Sequence, residues 1–175
     1  MEVEGFANII FSLRLCISIF FTIFAPKLNI TYIQKMNDSY ISGFFDADGS
    51  ITMSKSDSNN PYRTIKMDFT NTQLGLLKEI QEYLLKTYGL KLHISTKPPK
   101  NDRCLESYVL SSSSNRTCYE LCKIIKSHHP KKIHRINTVL KYHYSVVKRN
   151  GKYNEREKTR RLAYERLFFS NAFQH

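Results

Sequence analysis

Hydrophobic and polar positions along this chain change period several times, and each change marks an element. Residues 63–70 alternate, with Ile65, Met67 and Phe69 on one side and Thr64, Lys66, Asp68 and Thr70 on the other, the pattern of a half-buried strand. Residues 51–56 alternate in the same way, and the turn SNNP at 58–61 joins the two strands into a hairpin. The period then lengthens: Leu74, Leu77, Ile80, Leu84 and Tyr88 recur at helical spacing, and Gly89 closes the run. A second strand pair follows. Leu90, Leu92 and Ile94 alternate with Lys91, His93 and Ser95, after which Pro98, Pro99 and Asn101 turn the chain into a strand at 105–110. The serine run 111–114 precedes a helix at 115–127, and two basic helical stretches at 134–147 and 154–169 complete the chain. Upstream, Asp38 or Ser39 caps a short helix that runs through Ala47 and is ended by Gly49. The predicted order is helix, two strands, helix, two strands, helices, an α+β fold on an antiparallel sheet.

Before residue 37 the pattern is of another kind. Residues 6–25 read FANIIFSLRLCISIFFTIFA, nearly all apolar, and end at Pro26. Their length is near that of a membrane span, but Arg14 costs about 3 kcal/mol near the middle of one, so a span is marginal. The stretch between Gly5 and Asn37 has no acid and carries Arg14, Lys27, Lys35 and several hydroxyls. That composition leans toward an organelle presequence (mitochondrion or chloroplast) or an in-frame upstream segment rather than a membrane anchor. Residues 1–36 are therefore set apart as an extension, and residues 37–175 are read as one domain with one core.

Charge sharpens the picture because it is uneven. Residues 1–90 hold 8 Lys/Arg against 9 Asp/Glu, whereas residues 91–175 hold 19 against 6, so the positive field belongs to the second half. Such a field concentrates polyanions, nucleic acid first and anionic membrane next, although basic surfaces also serve solubility. The four cysteines, Cys16, Cys104, Cys118 and Cys122, are too few for a disulfide-dense secreted scaffold and fit a reducing compartment. Cys118 and Cys122, with His128 and His129 downstream, lack the CxxC knuckle of a zinc site and read as buried free thiols on a helix.

Candidate chemistry centres on residues 40–51, YISGFFDADGSI. Two carboxylates one residue apart, directly before a glycine, are oxygen donors suited to a hard cation. An EF-hand is excluded: with Asp46 and Asp48 at loop positions three and five, Phe44 and Lys55 would occupy the two ends, where ligands are obligatory. Ser39, Gly43 and Ala47 are spaced by four and share one helix face, and small side chains there let two helix backbones approach. If this face meets its own copy across a two-fold axis, the two Asp48 carboxylates converge, and a pair makes the metal site that one alone does not. The hairpin's second face, with Thr64, Lys66, Asp68 and Thr70, suits the DNA major groove, and it equally suits an ordinary solvated sheet.

The run ISGFFDADG resembles the LAGLIDADG motif of homing endonucleases: Ile41 and Ser42 stand in place of Leu and Ala, and Gly43, Asp46, Asp48 and Gly49 match. The element order is similar to the family's αββαββα fold, an antiparallel saddle sheet with helices on one face, over residues 37–147, with an extra C-terminal helix. A single motif in a chain of this size implies a homodimer. By the resemblance, Asp48 is the catalytic metal-binding carboxylate, the Ala47 carbonyl adds a ligand, and Asp46 is a structural group at the helix end. Gln73, in FTNTQ, resembles the residue that orients the attacking water, and it also reads as a plain helix N-terminal residue. Lys132, in HPKKIHRIN before a helix, resembles the basic residue near the scissile phosphate, with Lys131 as a competitor. Strand parity agrees with the family's DNA-reading face at Thr52, Ser54, Ser56, Thr64, Lys66, Asp68, Thr70, His93, Ser95, Lys97 and Ser107, while Lys141, Lys148 and Arg149 are expected to contact phosphate.

The function these expectations imply is an intron-encoded, Mg²⁺-dependent, site-specific endonuclease that cuts double-stranded DNA as a homodimer. Two other readings use the same scaffold: a maturase that binds intron RNA, and a non-cleaving DNA-binding protein.

Overall fold

The computed structural model describes residues 36–55, 60–99, 101, 105–148 and 151–170. The apolar segment 6–25, Cys16, Ser56, Cys104 and Arg149 lie outside the described residues.

Helix α1 spans Asp38–Asp48. Its N-cap is Asn37, one residue earlier than the sequence suggests, with Oδ1 accepting the Tyr40 amide at 2.9 Å. Asp38 cannot serve as cap because its carboxylate accepts the hydroxyls of Tyr83 and Tyr88, which pins the start of α1 to a neighbouring helix. Ile41 and Phe45 of α1 are fully buried. At the other end Gly49 is needed for close approach: a Cβ there would stand 2.7 Å from the Phe45 carbonyl oxygen and would strike the Phe45 ring. The chain passes directly into a strand.

Four strands form one antiparallel sheet in the order β1-β2-β4-β3: β1 Gly49–Ser54, β2 Thr64–Asn71, β3 His93–Lys97 and β4 Ser107–Ser112. The alternation expected of the first hairpin is observed, with Ile65, Met67 and Phe69 at 1% exposure or less. β1 begins and ends two residues before the expected strand. β3 starts at His93, later than expected, because the Leu90 amide is taken up by the Leu84 carbonyl in the left-handed turn at Gly89. β4 is displaced toward the serine run for want of pairing partners at 105–106.

Helices cover the apolar face. α2, Leu74–Tyr88, buries Leu77, Ile80 and Leu84. α3, Asn115–Ile124, is capped by Ser114 and stops three residues short of the expected end, because the Lys126 amide turns to the Ser42 hydroxyl at 3.0 Å. Cys118 and Cys122 are buried free thiols, and burial pushes the Cys118 thiol up to about 12. α4, Pro130–Val146, begins four residues before the expected start, with Pro130 in the first turn where its missing N–H costs nothing. α5, Glu155–Phe169, opens on a capping box formed by Asn154 and Glu157.

α5 is fastened to the first hairpin through buried charge. Glu165 Oε1 accepts the Arg63 amide at 2.9 Å and lies 3.3 Å from Arg161 Nε, and Arg161 also donates to the Arg63 carbonyl. Arg161 and Glu165 are 3% and 4% exposed, so neither charge tolerates loss of the other. Beside them His143 is 2% exposed, contacts Tyr164 Oη at 3.1 Å, and is pushed down to about 4 by burial and then by the Arg161 charge.

Candidate metal centre and nucleic-acid interface

The two acids of the motif part company at the end of α1. Asp46 turns inward and accepts the Ser127 hydroxyl and, at 2.6 Å, the His128 amide. Burial raises its pKa, but these bonds and the Lys132 charge outweigh that and hold it below the ordinary carboxylate range. The bonds fix the segment that leads into α4, and the first turn of α4 then delivers Lys132. Its Nζ donates to the carbonyls of Phe45 and Asp46 at 2.7 and 2.9 Å and lies 5.2 Å from the Phe45 ring centre. Burial lowers the Lys132 pKa, while Asp46 and Asp48 pull it partly back. Lys132 is thus within α4 rather than before it, and its amine sits at the end of α1 within the field of Asp46 and Asp48, whereas Lys131 is exposed.

Asp48, the last residue of α1, is exposed, and its Oδ2 accepts Asn71 Nδ2 at 3.0 Å. Asn71 Oδ1 in turn accepts the Gln73 amide at 2.9 Å. Gln73 is the exposed N-cap of α2, and its side chain makes no capping bond. The structure therefore gathers Asp48, Gln73 and Lys132 from three helix ends, with Ala47 adjoining on α1. Sequence reasoning passed over Asn71, whose only signal is a polar residue on the core-side parity of a strand.

Sheet register aligns the polar positions into rows. One row reads Ser50, Asp68, Ser111, His93 across all four strands, and a second reads Thr70, Val109, Ser95. Thr52 pairs with Lys66, Ser54 with Thr64, and Lys97 with Ser107, so every described candidate of the DNA-reading set lies on one face. Ser50 and Ser111 complete the face and were missed because the strand ends were misplaced. Asp68 accepts the Ser50 hydroxyl at 2.7 Å, and Lys66 Nζ stands 3.9 Å away. Lys141 is exposed on α4, whereas Lys148 is paired with Glu157 at 2.6 Å.

Ser39, Gly43 and Ala47 are all exposed on one side of α1, and a Cβ on Gly43 would meet nothing within 4 Å. Ser39 and Gly43 line an open groove whose other walls include Tyr88, Arg116, Lys123 and Lys126.

Among the described residues no cluster of three or more His, Cys, Asp and Glu is poised to hold a metal. The exposed Asp48 carboxylate is a hard oxygen donor of the kind that suits Mg²⁺ or Ca²⁺.

A family model described as the LAGLIDADG-like domain matches residues 36–124. Among solved structures, the chain is similar to an archaeal intron-encoded homing endonuclease, I-Vdi141I, complexed with DNA, at 15% identity and a TM-score of 0.50, covering 77% of this chain and 84% of that one. It is also similar to I-SmaMI bound to an uncleaved DNA target in the presence of calcium ions, at 15% identity and a TM-score of 0.54, covering 77% of this chain and 45% of that one. The chain thus spans under half the length of I-SmaMI. At this identity the likeness shows the fold. No curated protein matches the chain.

Proposed function

Because the chain belongs to the LAGLIDADG-like domain family, we propose that it is a homing endonuclease, a site-specific enzyme that hydrolyses one phosphodiester in each strand of DNA as a Mg²⁺-dependent homodimer. The observation that carries this reading is Asp48: an exposed carboxylate ends a helix whose small-residue face is also exposed, with the Lys132 amine bound to that same helix end.

Two copies meeting through Ser39, Gly43 and Ala47 bring both Asp48 side chains to a shared cation, with the Ala47 carbonyls as further ligands. When bound, a divalent cation polarises the phosphate, lowers the pKa of its water and stabilises the leaving oxygen. Lys132 contributes positive charge against the negative charge that develops on the phosphate. Gln73, exposed at the start of α2, is available to orient the attacking water. The polar rows of the sheet read base edges, with Lys66, Lys97 and Lys141 adding phosphate contacts. The apolar extension, which carries no acid between Gly5 and Asn37, supports an organellar home for the enzyme.

The test is cleavage of a plasmid carrying the intronless form of the gene's own insertion site. Wild-type protein cuts it only with Mg²⁺, and Asp48→Asn does not. Full-rate cutting by Asp48→Asn, or by a strictly monomeric protein, overturns the proposal.

A further inference from the structure

We propose that Asn71 is a positioning residue, which holds the Asp48 carboxylate and the start of α2 in one fixed relation so that Asp48 presents its free oxygen to a cation. The inference rests on the metal reading of Asp48 given above.

Both ends of the Asn71 amide are engaged. Nδ2 donates to Asp48 Oδ2 at 3.0 Å, and Oδ1 accepts the Gln73 amide at 2.9 Å. Chemistry fixes the orientation, since a carboxylate only accepts and a backbone N–H only donates; flipping the amide loses both bonds. The residue itself is anchored by the sheet: Asn71 pairs with Tyr108 in the last rung of β2 and β4, on the parity of Phe69, so it faces the helices rather than the polar rows. One side chain therefore ties the end of α1 to the beginning of α2.

The type of residue matters as much as the place. An exposed carboxylate at a helix end rotates freely, and a cation must then order it. A single neutral donor on Oδ2 sets the rotation and leaves Oδ1 open. A lysine there would compete with the cation for the same charge, whereas an amide does not. Hydrogen bonds behind a ligating carboxylate contribute roughly 10–100-fold to metal affinity or activity.

A merely structural role is the alternative, because Asn71 also covers an N–H at the start of α2. Serine separates the two roles: its hydroxyl accepts the Gln73 amide in the same kind of turn but is too short to reach Asp48. The experiment uses the full-length dimer on a duplex enriched from a randomised pool by the wild type in Ca²⁺. Ca²⁺ affinity is read by displacement of Tb³⁺ luminescence, duplex affinity is read in EDTA, and thermal midpoints are taken alongside. Asn71→Ala and Asn71→Ser are both expected to weaken Ca²⁺ binding about tenfold with duplex affinity unchanged, and only Asn71→Ala is expected to lower the midpoint. Wild-type Ca²⁺ affinity in Asn71→Ser shows that the residue is only a cap and overturns the inference. Asp48→Asn is the control: if it binds Ca²⁺ as the wild type does, the metal reading of Asp48 fails and the Asn71 inference falls with it. If it binds weakly while Asn71→Ser does not, only the Asn71 inference fails.

Discussion

Asp46 and Asp48 stand two residues apart on one helix, yet they are held so differently that substituting each separates folding from chemistry. Asp46 receives the Ser127 hydroxyl and the His128 amide, and Lys132 stands close by. Hydrogen bonds to a charged acceptor contribute about 1.5–3 kcal/mol when well buried. Asp46 is half-buried, and solvent screening brings each bond to about 1 kcal/mol. Asp46→Ala therefore costs about 2 kcal/mol, and at about 2–4 °C per kcal/mol the thermal midpoint falls by about 4–8 °C. Asp48 is exposed and accepts one described bond, from Asn71, worth no more than about 0.5 kcal/mol at the surface. Asp48→Ala is expected to melt within about 2 °C of the wild type while losing all Mg²⁺-dependent cleavage. Thermal unfolding followed by circular dichroism, run beside a plasmid-cutting assay, measures both. Equal loss of midpoint in the two variants, or a wild-type midpoint in Asp46→Ala, refutes the division of labour.

Gly49→Ala places a methyl group 2.7 Å from the Phe45 carbonyl and into the Phe45 ring, so it is expected to destabilise by about 1–3 kcal/mol, read by urea unfolding. His143 is held near 4 in the folded state against an ordinary 6.5, so the unfolded chain binds more protons between these values. The stability this contributes is complete above pH about 6.5 and is lost as pH falls toward 4, by at most about 3 kcal/mol; His143→Phe flattens that dependence in melts over the same range. Glu165→Gln leaves Arg161 without its buried acid and is expected to cost about 3–5 kcal/mol, with early hydrogen exchange in α5 as the signature. Lys66→Ala is expected to reduce the salt dependence of duplex binding by about one charge per protomer without abolishing it.

The sheet was legible because its parity is clear: Ile65, Met67 and Phe69 leave only one way to face the strand, and the polar rows follow from register. The motif located α1 and Asp48 for the same reason, since short-range spacing decides both. Lys132 was harder. In a run of adjacent lysines the choice depends on where α4 starts, and that start is set by Asp46 capturing the Ser127 hydroxyl and the His128 amide some eighty residues away in sequence. Asn71 was hidden because its partners lie at the ends of two different helices. The α5 clamp was equally hidden: in sequence, Arg161 and Glu165 are two unremarked charges within a basic helical stretch, and only their meeting with Arg63 shows them to be interior.

Arg135, packed under α5, has a consequence for how copies of the molecule can associate. β1 lies at one margin of the sheet, and margins of this kind invite a foreign strand to add on and propagate into aggregates. Arg135 Nη1 already donates to the Ile51 carbonyl at 2.7 Å, and its guanidinium rests against the Phe168 and Phe169 rings. An incoming strand must first dislodge a cation stacked on two aromatics at the middle of β1, so self-assembly is steered away from this margin.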